Sequence, residues 1–130
     1  MRVKDVMSAQ IVTISPNDTA QSAARLMLEA DVGALPVEVP GVGTIIGIVT
    51  DHDIVVSVTA RGLSTSTTVA EFMTVSPEAC NENDDMTITI SRMRAFGVRR
   101  LVVMNDNRHV VGIVSLVDMP AETTAQEGMT

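Results

Sequence analysis

Two segments carry the side chains best arranged for chemistry: Gly47-Ile48-Val49-Thr50-Asp51-His52-Asp53 and Gly112-Ile113-Val114-Ser115-Leu116-Val117-Asp118. Each reads as an apolar strand that enters a helix through a hydroxyl residue, with an aspartate three positions further on. That spacing has two readings. In one, Thr50 or Ser115 is an ordinary N-cap, and Asp53 or Asp118 reaches back to the backbone as in a capping box. In the other, the helix N-terminus receives a phosphate and the hydroxyl adds a bond to it. The carboxylate then accepts both hydroxyls of a ribose, as an acidic residue does in dinucleotide folds. The spacing alone leaves both open.

Other chemistries find less support. There is no Walker loop and no dinucleotide glycine fingerprint. His52 and His109 are the only histidines, and no serine or cysteine sits in a nucleophile elbow, so an enzyme is not expected. Glu78, Glu82, Asp84 and Asp85 span a strand exit and a helix start, where carboxylates complement the helix dipole more often than they hold a metal. Cys80 is the sole cysteine, which excludes an internal disulfide and a cysteine zinc site. On a buried strand it reads as a small hydrophobe rather than a redox switch. The net charge of −7 and the absence of Trp and Tyr argue against a nucleic-acid partner. No apolar run is long enough to span a membrane, and Met1 to Asp5 lacks a secretory signal, so the expected location is the cytoplasm.

The elements that must position Thr50 and Ser115 come from an internal repeat. Val3 aligns with Val69, Met7 with Met73, Asn17-Asp18 with Asn83-Asp84, Met27 with Met93, Val32 with Val98, Leu35 with Leu101 and Val37 with Val103. After a one-residue slip in a loop, Gly47-Ile48-Val49-Thr50 aligns with Gly112-Ile113-Val114-Ser115, and Asp53 with Asp118. In the first copy a strand over 10–14 ends at Ser15-Pro16-Asn17-Asp18. Ala20, Ala23, Ala24, Met27 and Leu28 then give a helical stripe that Gly33 closes. Strands over 35–39 and 45–49 flank the turn Pro40-Gly41-Val42-Gly43, and a last helix runs from about Asp51 to Ala60. In the second copy Met86-Thr87-Ile88-Thr89-Ile90 alternates like a strand. The alignment makes it a helix instead, with Met86, Ile90, Met93 and Gly97 on one face. The division expected is residues 1–60 for the first repeat, 61–68 for a linker, 69–120 for the second repeat and 121–130 for a frayed tail.

The segments Val3-Lys4-Asp5-Val6-Met7, Gly33-Ala34-Leu35-Pro36-Val37 and Gly47 to Ile54 resemble the tandem CBS domain family, named for cystathionine β-synthase. Val69 to Met73, Gly97 to Val103 and Gly112 to Asp118 resemble it in the second copy. The resemblance implies an α+β fold: two β-α-β-β-α repeats packed through their sheets with pseudo-twofold symmetry, commonly as a homodimer. It implies a regulatory module that binds AMP, ADP, ATP or S-adenosylmethionine and acts on a separate effector protein. Ribose and phosphate would fall to Thr50, Asp53, Ser115 and Asp118, with His52, Arg99 and Arg100 nearby. Adenine would rest on Val12, Thr13, Ile14, Leu35 and Pro36, with Glu78, Ala79, Cys80, Leu101 and Val102 as counterparts.

The copies differ where a ligand would touch. Ala34 stands where Arg100 is found in the second copy, and Leu116-Val117 replaces Asp51-His52. Two unequal clefts are therefore expected. The alternatives are a ligand-free dimerisation module and, behind it, a metal or redox sensor.

Overall fold

The computed structural model describes residues 1–9, 12–75 and 78–116; Asp118 and the expected tail lie outside them. In chain order the elements are a 3₁₀ turn at Val3–Asp5, β1 (Ser8–Ala9), α1 (Ala20–Ala30), β2 (Ala34–Glu38), β3 (Ile45–Thr50), α2 (Asp51–Asp53), a π-helical turn at Ile54–Thr59, α3 (Val69–Phe72), β4 (Thr74–Val75), β5 (Ala79–Asn81), α4 (Met86–Phe96), β6 (Arg100–Met104) and β7 (Val110–Ser115).

These elements form two compact units, Val12–Pro77 and Met1–Ile11 with Glu78–Thr130. The units are offset from the sequence repeats, because each repeat's opening segment pairs with the other repeat's sheet. β1 runs antiparallel to β7, Ser8 opposite Ile113 and Ala9 opposite Gly112. β4 runs antiparallel to β3, Thr74 opposite Ile48 and Val75 opposite Gly47. The two glycines explain themselves here. A Cβ on Gly47 would lie 2.5 Å from the Thr74 carbonyl oxygen, and one on Gly112 would lie 2.6 Å from that of Ser8. The incoming strand needs a residue without a side chain.

The Val12–Pro77 unit holds a three-stranded sheet in the order β2-β3-β4. Ile14 adds a single parallel bridge to Val37. Ala23 and Met27 of α1 face Leu35, Val37 and Val49 of the sheet, with Val58, Val69 and Phe72 completing the core. The other unit holds a four-stranded sheet in the order β1-β7-β6-β5, with β5 parallel to β6. Its core is Val3, Cys80, Met86, Ile90, Met93, Leu101, Val103 and Val114.

The alternating segment after Asp85 is helical, as the repeat requires. Met86, Ile90 and Met93 are fully buried on one face of α4. Propensity alone would make it a strand; burial of that stripe decides otherwise. Gly97 is not part of the stripe. It is the left-handed C-cap at φ 68°, with the Val98 N–H on the Met93 carbonyl at 2.9 Å. In α1 that role belongs to Asp31, at φ 55°, rather than to Gly33.

The expected linker is tied down. The Thr67 and Thr65 carbonyls accept the Ala20 and Gln21 N–H groups at 2.8 and 3.0 Å, satisfying donors that a helix N-terminus leaves open. The Met1 carbonyl does the same for Met86 at 3.0 Å. The helix expected over 51–60 begins as α2 and widens at Ile54, with the Ala60 N–H on the Val55 carbonyl five residues back. The run Ile54-Val55-Val56-Ser57-Val58-Thr59 is rich in β-branched side chains, which crowd the preceding turn of an α-helix. Of the strand expected over 10–14, Gln10 and Ile11 lie outside the described residues.

Candidate functional site

In the Val12–Pro77 unit, β3 delivers Thr50 to the sheet end as a buried hydroxyl. Thr50 and Asp53 close a reciprocal capping box. The Asp53 N–H donates to Thr50 Oγ1 at 3.1 Å, and the Thr50 N–H donates to Asp53 Oδ2 at 2.9 Å. Thr74 joins them from β4, its Oγ1 lying 3.4 and 3.5 Å from the two carboxylate oxygens of Asp53. Asp51 donates its N–H to the Gly33 carbonyl at 3.0 Å and accepts the His52 N–H on Oδ1 at 2.8 Å. A Cβ on Gly33 would lie 3.2 Å from the Asp51 carboxylate, so a small residue at 33 accompanies an aspartate at 51.

The second copy keeps the backbone and changes the side chains. Leu116 donates its N–H to the Arg99 carbonyl at 3.0 Å, the bond that Asp51 makes to Gly33. Arg100 lies opposite Ser115 across β6 and β7, as Ala34 lies opposite Thr50 across β2 and β3. The first junction is therefore acidic, with Asp51 and Asp53 in one turn. In the second copy Ser115 is buried, Arg100 is half-buried and Arg99 is exposed. Asp118 and Val117 lie outside the described residues.

The adenine candidates divide by face. Ile14 and Leu35 belong to one core, Cys80 and Leu101 to the other. Their side chains are used in packing. Pro36 and Val102 are buried but belong to neither cluster, while Val12, Thr13, Glu78 and Ala79 are partly exposed. Burial first, then the nearby Asp84 charge, push the Cys80 thiol up to about 12 against the opposing pull of Arg92. Such a thiol is a poor nucleophile at neutral pH.

Two participants were not apparent in the sequence. Thr74 reaches Asp53 only because the strand after α3 pairs with β3; its signal is the repeated Met-hydroxyl pair, Met7-Ser8 and Met73-Thr74. Arg92 donates to the Ala79 carbonyl at 3.1 Å and to Glu78 Oε2 at 3.4 Å, with Asp84 3.8 Å away. It stands where the first copy has Leu26. Asp84 and Asp85 also have local work. Asp84 Oδ2 accepts the Asn81 N–H at 2.9 Å, repeating the turn in which Asp18 Oδ2 holds the Ser15 N–H at 3.0 Å. Asp85 caps α4 through the Ile88 N–H at 3.3 Å. Among the described residues no three His, Cys, Asp or Glu side chains are grouped to hold a metal.

A strand-to-helix junction capped by Thr50 and Asp53, with the strand register of Thr50 repeated at Ser115 and the opening strands exchanged between the repeats, defines the class. The CBS domain family model matches residues 3–59 and 69–119, and the chain belongs to the CBS domain family. The CBS domain-containing protein YhcV of Bacillus subtilis is 38% identical over 125 residues, covering 96% of this chain and 87% of that protein. The CBS domain pair of protein MJ0100, crystallised with 5′-methylthioadenosine and S-adenosyl-L-methionine, is 27% identical with a TM-score of 0.74. The match covers 91% of this chain and 95% of that one. Hypoxic Response Protein I, crystallised with two coordinated zinc ions, is 30% identical with a TM-score of 0.72, covering 92% of this chain and 100% of that one. The fold is α+β, that of a CBS domain pair.

Proposed function

We propose that this CBS pair is a regulatory module that binds an adenine nucleotide or adenosyl compound (AMP, ADP, ATP or S-adenosylmethionine) and passes its occupancy to a separate protein. The observation that carries this reading is the Asp53 carboxylate, held by Thr50 at a helix N-terminus where it can accept ribose hydroxyls, in a chain whose relative MJ0100 holds adenosyl ligands. Arg99, Arg100 and Ser115 serve phosphate in the second copy. The two copies then contribute unequally, the first favouring a ribose and the second an anion. Regulation needs the ligand to bind two conformations of the module with different affinity. A homodimer in the cytoplasm, with no catalytic role, fits this reading. Cys80 is buried and its thiol resists ionisation, so it offers no reactive nucleophile.

A thermal-shift panel of AMP, ADP, ATP, S-adenosylmethionine and Zn²⁺, on protein freed of co-purified small molecules, tests this. At a hundredfold excess over Kd a ligand adds about 2.7 kcal/mol, a rise of several degrees for a domain of this size. A rise with at least one adenine compound supports the reading. A rise with Zn²⁺ alone favours the zinc chemistry of Hypoxic Response Protein I, and no rise at all favours an interaction module without a ligand.

A further inference from the structure

Backbone hydrogen bonds fix which residues of the two junctions correspond. Asp51 donates its N–H to the Gly33 carbonyl and Leu116 donates its N–H to the Arg99 carbonyl, both at 3.0 Å. Ala34 pairs with Thr50 across one hairpin and Arg100 with Ser115 across the other. At these matched places the first copy has a glycine, an alanine and a carboxylate, and the second has two arginines and a leucine. The differences at 33 and 51 belong together. A Cβ on Gly33 would lie 3.2 Å from Asp51 Oδ2, so a larger side chain there would crowd the carboxylate. The His52 N–H holds that carboxylate in place, donating to Oδ1 at 2.8 Å. Over residues 12–77 the only basic side chains are Arg25 and Arg61, against seven carboxylates. Arg25 lies on α1 and Arg61 beyond the π-helical turn, so neither belongs to the strand-to-helix turn.

Asp51 and Asp53 share one helical turn. A ribose that gives its 2′ and 3′ hydroxyls to Asp53 carries its variable group on the 5′ carbon, a few bonds away. A charge there is not fully screened from Asp51, because the Debye length is about 8 Å at physiological salt.

We infer that Asp51 sets the charge preference of the first junction: it disfavours a 5′-phosphate and favours an adenosyl compound whose 5′ group is uncharged or cationic, as in 5′-methylthioadenosine or the sulfonium S-adenosylmethionine. This rests on the nucleotide reading above and narrows the ligand class of one of the two copies. Asp51 is a specificity residue that acts through its charge, without a bond to the ligand. Leu116, at the matched place, gives the second copy no such preference.

The test is titration calorimetry of the wild type, Asp51→Asn and Asp51→Glu with AMP, 5′-methylthioadenosine and S-adenosylmethionine, which share adenosine and differ in charge at the 5′ position. Asparagine keeps an oxygen for the His52 N–H and removes the charge. Asp51→Asn is expected to bind AMP about twofold to fivefold more tightly and S-adenosylmethionine more weakly by a similar factor, the size of one charge interaction at an exposed site. Its affinity for 5′-methylthioadenosine should equal that of the wild type, and Asp51→Glu should keep the wild-type order. Both shifts should shrink as salt rises. Any contribution of the second junction is common to the three proteins and cancels in the comparison. Unchanged AMP affinity, or a shift of all three ligands in one direction, would overturn the inference while leaving adenosyl binding intact. Failure of the wild type to bind any of the three overturns the inference together with the reading on which it rests.

Discussion

Thr50 and Asp53 hold each other twice, side chain to backbone in both directions, at 3.1 and 2.9 Å. The side chains that cap this helix are the ones the proposed nucleotide site uses, so stability and binding are separated by the choice of substitution. Thr50→Ala removes the cap acceptor and is expected to cost about 1 kcal/mol of stability, while Thr50→Ser retains most of it. Urea denaturation midpoints check both, and an unchanged Thr50→Ala midpoint would show that the box contributes nothing to folding.

Gly47 and Gly112 accept the exchanged strands. Because an added Cβ would meet a backbone oxygen at 2.5 or 2.6 Å, the neighbour cannot rotate aside as a side chain would. Gly47→Ala and Gly112→Ala are each expected to destabilise by about 1–3 kcal/mol, the range for overpacking a fitted site. Gly43→Ala tests the specificity of this claim, since there the penalty comes from φ 77° instead of from a close backbone. In Gly112→Ala, faster amide exchange should appear across Ser8 and Ala9, whereas in Gly43→Ala it should remain at the β2–β3 turn.

Cys80 makes stability depend on alkaline pH. Its thiol stands at about 12 in the fold against an ordinary value of 9.0, chiefly through burial. The folded state thus keeps a proton that the unfolded chain releases first. The contribution is fully present below pH 9 and is lost as pH rises from about 9 towards 12. Cys80→Ala should flatten the stability profile in that window relative to the wild type. In parallel, the native thiol should resist a thiol reagent at pH 8 and react once unfolded by urea; rapid native labelling would contradict the buried placement.

Arg92 fastens α4 to β5 through the Ala79 carbonyl and Glu78, and its guanidinium lies 6.0 Å from the centre of the Phe96 ring. The pair with Glu78 is a third to a half exposed, so its charge attraction is heavily screened. Arg92→Leu, which installs the residue of the first copy, is expected to change stability by less than about 1 kcal/mol. Denaturation at low and high salt should show that difference shrinking as salt rises; a large, salt-independent loss would assign Arg92 a packing role instead.

What the sequence made legible was whatever the repeat repeats. The helical reading of Met86–Ile90 came from its alignment with α1, against local preference, and the buried stripe of α4 explains why alignment is the better guide. The exchange of β1 and β4 was hidden because two-residue strands have no periodicity to detect. Only the glycines at 47 and 112, read as places where backbone must pass closely, could have signalled it. Arg99 and Arg100 could be named from the sequence, but the register that sets Arg100 opposite Ser115 is a property of the β6–β7 hairpin. Thr74 carried only the faint signal of the repeated Met-hydroxyl pair, because its partner Asp53 is distant in sequence and meets it only after strand exchange.

The account turns on the Asp53 carboxylate serving a ligand as well as a helix. Asp53→Asn keeps an oxygen for the Thr50 N–H but loses the charge that makes a strong diol acceptor. Calorimetric Kd values for AMP on the wild type and on Asp53→Asn measure the difference directly. The account predicts binding by the wild type, at least tenfold weaker binding by Asp53→Asn, and a fold that circular dichroism shows to be unchanged. Equal affinity in the two proteins would reduce Asp53 to a cap and contradict the central claim.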